Sequence, residues 1–364
     1  MKKEDVITYV ILWSVLIGIC LYLIYTGFPF SIYAKSHQEI QIEREDPYLY
    51  EQLVAENEKQ AEKKQKEEEE RVAALVLQEQ EEVKKQEEQK ALEAKEQQMR
   101  QETAAVLSNA ATQITTSGNY LSQCFIVDPN TTLSESDVPL EALMAKDMRL
   151  TSTDRSYPQI LIYHTHATEG YVDSVDGDPS TTVVGVGDYL TELLTTRYGY
   201  HVLHVTEKYD LAEGVLNRSR AYNYARDDLE VILEENPSIE VVIDLHRDGV
   251  AEDKHLVTEI EGKQTAQIMF FNGLSKTNES GELSSLPNPY IQDNLAFSLQ
   301  LEMLCEHYYP DFLRSIYVKG YRYNLHFRPK SLLLEVGAQT NTLQEAKNAM
   351  EPFAEILDKL LKGT

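Results

Sequence analysis

Residues 159–169 read QILIYHTHATE. Gln159–Tyr163 is an apolar run of strand length, and it stops on His164, Thr165 and His166, with Glu169 close behind. Four further runs have the same form: HVLHV (His201–Val205), EVVIDL (Glu240–Leu245), AQIMFF (Ala266–Phe271) and SLLLEV (Ser331–Val336). Between them the patterning predicts helices at Gly187–Arg197, Ser219–Glu235, Asn288–His307 and Thr342–Leu361. Strands alternating with helices imply an α/β fold, with a central, mostly parallel sheet flanked by helices.

The polar residues at the strand ends carry the chemistry. QILIY runs into His164–Glu169, EVVIDL runs into His246, Arg247 and Asp248, and SLLLEV contains Glu335. In open α/β sheets the carboxyl ends of strands are where side chains from distant segments converge. A zinc hydrolase needs about three His or carboxylate ligands, an open position for water, and a further carboxylate to take the water's proton. His166, Glu169 and His246 suit the ligand set, and Glu335 suits the general base and proton donor. Glu335 sits in LLLEVG, which reads as a buried strand, and burial raises a carboxyl pKa toward the range useful for proton transfer.

Its neighbours have less specific readings. His166 is preferred to His164 because it lies past the strand end and near Glu169; His164 is then packed, or orients a ligand. Arg247 could hold a substrate carboxylate or oxyanion through paired hydrogen bonds, or form an ion pair with Asp248. Asp244 could orient a ligand or cap the following turn.

Outward from this region the chain changes character. Residues 1–5 precede VITYVILWSVLIGICLYLIYTG (residues 6–27), an uncharged run of the ~20 residues needed to cross a bilayer. It exceeds the usual ~7–15 residue core of a cleaved signal peptide, so an uncleaved single-pass anchor is expected. Lys2 and Lys3 before the span, and the acidic Glu39–Asp46 stretch after it, place the N-terminus in the cytoplasm and the rest outside. Residues 28–107 are dominated by Glu, Gln, Lys and Ala and predict a charged helical stalk. Its apolar positions, such as Leu53, Val72, Leu75, Val76, Val83 and Leu92, do not sustain a heptad, leaving a spacer or weakly self-associating stalk. Residues 108–156 form a lead-in around Cys124–Val127, and 157–364 the catalytic domain.

The formal net charge of −26 would repel phosphate backbones, so nucleic acid is excluded as a partner class. Cys20 lies in the apolar span, leaving Cys124 and Cys305 as either one bridge or two buried thiols.

Four segments together carry a resemblance: ILIYHTHATEGY (160–171), VVGVGDYLTELLTTRYG (183–199), VVIDLHRDG (241–249) and LLLEVGAQTNTLQEAKNA (332–349). They resemble the characteristic blocks of the stage II sporulation protein P family, from about Phe125 to the C-terminus. LLLEVGAQTN is also similar to the closing motif of the broader zinc N-acetylmuramoyl-L-alanine amidases, with Glu335 followed six residues later by Asn341. Those amidases carry a Gly-His-Gly-Gly block where this chain has His164-Thr165-His166, and their Glu ligand lies further along than Glu169. The resemblance implies a membrane-anchored amidase that uses Zn2+ and cuts peptidoglycan between N-acetylmuramic acid and L-alanine. It implies action during engulfment in sporulation, beside stage II sporulation protein D, and some members of the family are also associated with cleavage of peptide crosslinks.

Two other classes compete. One is an anchored, catalytically silent scaffold that binds peptidoglycan or a partner; intact His166, His246 and Glu335 speak against it. The other is a serine or cysteine hydrolase, but there is no Gly-x-Ser-x-Gly elbow, and Cys305 and His307 fall two apart on an expected helix.

Overall fold

From Pro47 to Ser117 the chain has no glycine, and no proline after the first residue, so nothing interrupts a helical ladder once it has started. In the computed structural model, which describes residues 36–363 apart from 118, 153 and 213, this stretch is a single helix, α2 (Pro47–Ser117). A short helix, α1 (His37–Glu45), precedes it and begins with a capping box formed by Ser36 and Glu39. The expected membrane span, 6–27, lies outside the described residues. Among the described residues no helix is long and apolar enough to cross a membrane.

The chain divides into two compact units, one ending at Gln89 and one running from Lys90 to Thr364. In the first, the α2 positions Val72, Leu75, Val76 and Val83 are all exposed, as expected of a solvated charged helix. In the second, the later turns of α2 are packed. Thr103 and Val106 are buried, with Leu107, Ala110 and Ile114 against the main core.

The second unit is built on seven strands: β1 (Phe125–Val127), β2 (Ile160–Tyr163), β3 (Val202–His204), β4 (Val241–Asp248), β5 (Ile268–Gly273), β6 (Leu313–Lys319) and β7 (Lys330–Ala338). Their order is β1-β6-β5-β7-β4-β2-β3. Every neighbouring pair is parallel except β7 and β5. The sheet is therefore mixed but mostly parallel, and β2, β4 and β7 run the same way, so their carboxyl ends share one edge. Its main helices are α3 (Val183–Thr196), α4 (Arg218–Glu235), α5 (Ile291–Tyr308) and α6 (Leu343–Lys362).

Two strands and one boundary differ from expectation. β6, LRSIYVK, carries charges at both ends and escapes an apolar-run criterion. β1 lies inside the 108–156 lead-in, where it pairs with β6, and Val138 and Leu143 of that segment are fully buried. The sheet and its core thus begin before residue 157. β4 also continues beyond Leu245 to Asp248, which places His246 within the strand rather than after it.

The alternation of side chains along the strands separates two faces. Ile160 and Ile162, Val241, Ile243 and Leu245, and Leu332, Leu334 and Val336 all belong to the main core, with α3, α5 and α6. Each such side chain contributes about 1.5–3 kcal/mol when fully buried. The intervening residues Leu161, Tyr163 and Val242 pack on Ala221, Ala225, Leu229 and Leu233 of α4, and Leu333 packs on Phe271 and Leu325. Asp244, His246 and Glu335 continue this second face toward the carboxyl ends. Cys124 and Cys305 are both buried and unbridged, which settles the pairing left open by the sequence.

Candidate metal centre

Parallel pairing of β7 with β4 puts Glu335 opposite His246 and Leu333 opposite Asp244. Residues opposite one another in adjacent strands point to the same face, so Glu335 and His246 are neighbours on the face that α4 covers only in part. β2 pairs with β4 on its other side, Tyr163 opposite Asp244, and the chain leaving Tyr163 turns over the same edge. That turn is tied to the sheet by Asp244, whose carboxylate accepts from the Thr165 backbone N–H at 2.8 Å and from the Thr165 hydroxyl at 2.6 Å. The same carboxylate lies 2.9 Å from His246 Nε2, within ion-pair distance. Asp244 therefore backs the imidazole of β4, one of the two roles the sequence left open; it caps no turn of its own strand, which runs on to Asp248, and instead fixes the turn after β2.

Three side chains meet at this edge. Each of His166, Glu169 and His246 offers a ligand atom, and these atoms all lie within 4.8 Å of one another. Glu169 sits between the imidazoles, its Oε1 3.5 Å from His166 Nδ1 and its Oε2 3.3 Å from His246 Nδ1. Glu169 and His246 are buried and His166 is half-buried, so the group opens to solvent on the His166 side. Burial alone would raise the Glu169 pKa, but hydrogen bonding to the two imidazoles holds it well below the ordinary carboxylate range. Burial would lower His246, yet Asp244 on one side and Glu169 on the other raise it well above its usual value. Two imidazoles and a carboxylate converging on one point are a donor set suited to a divalent cation. With Nε2 turned to Asp244, Nδ1 is the ring nitrogen left to face an ion, the carboxylate–histidine arrangement that orients metal-ligating imidazoles.

Glu335 is the fourth element. Its Oε2 is sealed from solvent and has no hydrogen-bond partner among the described residues. Burial pushes its pKa up to about 8, helped by the nearby negative charges of Glu169, Asp248 and Asp244 and opposed by His246. An orphaned carboxylate oxygen beside two imidazoles and a carboxylate fits a cation and a water at this position, since either would satisfy it. Just beyond Glu335 the strand shifts register, and Gly337 adopts φ +59. A Cβ there would lie 2.7 Å from Asn341 Oδ1, so a glycine is required. Fully buried Asn341 accepts from the Ala338 N–H and donates to Leu256 O and Glu345 Oε2. The Glu335–Asn341 spacing is thus a strand-end device, with Asn341 shaping the turn.

The family blocks that carry these residues extend over most of the chain: a model of the stage II sporulation protein P family matches residues 35–358. The chain belongs to that family. One family relative, stage II sporulation protein P of Bacillus subtilis (strain 168), is 27% identical over 215 residues. The match covers 55% of this chain and 50% of the relative, so it spans about half the relative's length. Similar solved structures include the N-acetylmuramoyl-L-alanine amidase AmiC2 of Nostoc punctiforme, with TM-score 0.30 and 10% identity, covering 55% of this chain and 94% of that one. The amidase Ami1 of Mycobacterium smegmatis has TM-score 0.34 and 10% identity, with 58% and 98% covered.

Other candidate residues of this family member have different surroundings. His164 is fully buried and stands outside the ligand group. Its Nδ1 is 2.8 Å from Leu245 O and its Nε2 2.8 Å from His204 Nε2, while His204 Nδ1 is 3.0 Å from Asp188. Gly187 of α3 makes room for this chain of imidazoles, because a Cβ there would meet both rings at 2.7–2.8 Å. Arg247 donates its backbone N–H to Glu169 Oε2 at 3.2 Å, and its guanidinium to the carbonyls of Gly170 and Asp248. Of the two readings of Arg247, the ion pair with the Asp248 carboxylate is not formed; Arg314 takes that carboxylate at 2.7 Å. Cys305, its thiol pKa raised by burial, and Ser331 are both buried, so neither is presented to a substrate. Two residues the sequence did not single out border the group. Arg218 reaches to 3.9 Å from Glu169, and the Tyr222 ring stands edge-on to His166 at 5.6 Å. Both come from the first turns of α4, and no local sequence signal directs them there.

Proposed function

We propose that this chain is a zinc-dependent N-acetylmuramoyl-L-alanine amidase that works on peptidoglycan in sporulation. The observation that carries the reading is the gathering of His166, Glu169 and His246 around one point, with the unpartnered Glu335 oxygen on the adjoining strand. His166, Glu169 and His246 would hold the ion. A zinc ion held there would polarise the scissile carbonyl, lower the pKa of the attacking water and draw Glu335 toward its ionised form.

The protein's own groups then divide the work. Glu335 takes a proton from water as its oxygen adds to the lactyl carbonyl carbon, and returns it to the L-alanine nitrogen as the C–N bond breaks. A raised resting pKa suits both directions of that transfer. Asp244 holds His246 and the turn bearing His166 in register. Arg247 uses two of its five donors on backbone carbonyls and keeps the rest for a substrate carboxylate or oxyanion. The apolar run at 6–27 serves as a single-pass anchor, with the enzyme outside the membrane and stage II sporulation protein D as a working partner during engulfment.

Digestion of purified peptidoglycan followed by mass spectrometry tests the reading. Free stem peptides beginning with L-alanine, lost on chelation and restored by zinc, are the expected products. Shortened crosslinks without free stems would make the chain an endopeptidase instead, and intact peptidoglycan would leave it a silent scaffold.

A further inference from the structure

Tyr222 has a position that the reaction above does not use. It lies on α4, half-buried, with its ring against His166 and, on the other side, edge-on to Tyr323 at 5.4 Å. Its hydroxyl makes no hydrogen bond among the described residues.

The backbone behind Tyr222 is shaped to hold it. Tyr323 and Asn324 are consecutive non-glycine residues in the left-handed region, at φ 48 and φ 59. Asparagine tolerates that region; a bulky tyrosine there is sterically disfavoured and persists only where its surroundings impose it. Two contacts do so. Asn324 Nδ2 donates to the Tyr222 carbonyl oxygen at 2.8 Å, and the Tyr323 ring is wedged between Tyr222 and Phe271, the latter at 4.7 Å. A disfavoured turn from which one side chain holds the Tyr222 carbonyl and the next packs on the Tyr222 ring points to a constraint on where that residue stands.

We propose that Tyr222 is a catalytic residue whose phenolic O–H donates a hydrogen bond to the scissile carbonyl oxygen as negative charge develops on it, with Asn324 as its positioning residue. The inference rests on the amidase reading. In that step the water oxygen bonds to the carbonyl carbon, one water proton passes to Glu335, and the carbonyl π electrons move onto the oxygen that faces Tyr222. When the carbon–nitrogen bond breaks, those electrons re-form the carbonyl and the proton on Glu335 goes to the departing nitrogen. The phenol keeps its own proton throughout.

The test compares the zinc-loaded parent with Tyr222→Phe and Asn324→Gly, the second of which keeps the left-handed backbone but removes the amide donor. A muramoyl-tripeptide serves as substrate, and its phosphinate analogue, with tetrahedral phosphorus at the carbonyl position, as a binding probe. Tyr222→Phe should retain one zinc and the parental melting midpoint, lower kcat by about 10–100-fold at similar KM, and weaken phosphinate binding by a comparable factor. Asn324→Gly should lower kcat by a smaller factor, again with zinc content intact. Tyr222→Phe within threefold of the parent in both kcat and phosphinate affinity would overturn the proposal while leaving the amidase reading in place. A zinc-bound parent that releases no L-alanine peptide would remove the amidase reading, and this inference with it.

Discussion

The two faces of the central sheet are made by the same strands yet have opposite characters. On one face, Ile162, Leu245, Leu334 and Val336 stay apolar to the strand ends and lie under α3, α5 and α6 in a continuous core. On the other, Leu161, Val242 and Leu333 give way along the strands to Asp244, His246 and Glu335, bordered by the first turns of α4. A single strand such as β7 thus alternates between a residue that holds the fold and one available for chemistry. The difference shows how stability and reactivity are kept apart: the first face bears the hydrophobic load, which permits the second to carry costly buried charge.

If that division is right, neighbouring residues should fail in different ways. The largest contrast is between the two histidines that leave β2. His166→Ala should abolish zinc retention while leaving the fold largely intact, measured by metal analysis and thermal melting. His164→Ala, which removes a fully buried ring held by Leu245 O and His204, should keep the metal but lower the melting midpoint. Equal zinc loss in both variants would show that the first face also builds the ligand group.

Glu335→Gln comes next. The amide keeps the shape but cannot accept a proton, so turnover should fall at least about a hundredfold with zinc still bound. The metal-free protein adds a pH signature. Because Glu335 is raised to about 8 when folded, ionising it opposes folding. Stability should therefore decline in the parent as pH rises from the ordinary Glu range, near 4.5, through about 8, relative to Glu335→Gln, which lacks this titration. Parallel pH profiles for the two proteins would remove the buried carboxyl from the account.

The smallest contrast sets Leu334→Ala against Leu333→Ala, the same deletion on opposite faces of β7. Both should fall within the ~2–5 kcal/mol typical of buried Leu→Ala changes, Leu334 toward the top because its core is continuous and collapses poorly around a cavity. Leu333, in a cluster with Phe271 and Leu325, should lie toward the bottom. Denaturant unfolding would measure both, and a larger loss at Leu333 would reverse the assignment of the load.

Much of this was legible along the chain because it depends on local chemistry. The apolar runs behind β2, β3, β4, β5 and β7, the four long helices that follow them, and the unbroken helix-forming composition of α2 are all short-range properties. So was the placement of ionisable residues at strand ends, which singled out His166, Glu169, His246 and Glu335. β6 was missed because LRSIYVK owes its strand to partners on both sides, β5 and β1, rather than to its own pattern. Tyr222, Arg218 and the Asp248–Arg314 pair were equally invisible, since each depends on segments distant in sequence.

The sequence by itself determined which residues could form strands and helices and which could bind a cation or move a proton, because propensity, periodicity and side-chain chemistry reside in the residues themselves. Only the tertiary structure decided that β2, β4 and β7 run the same way and side by side. That parallel register gathers two imidazoles and a carboxylate around one point and leaves an oxygen of Glu335 beside them without a partner. Sheet order is set by the summed burial of whole faces, a property of the assembled core that no single segment contains.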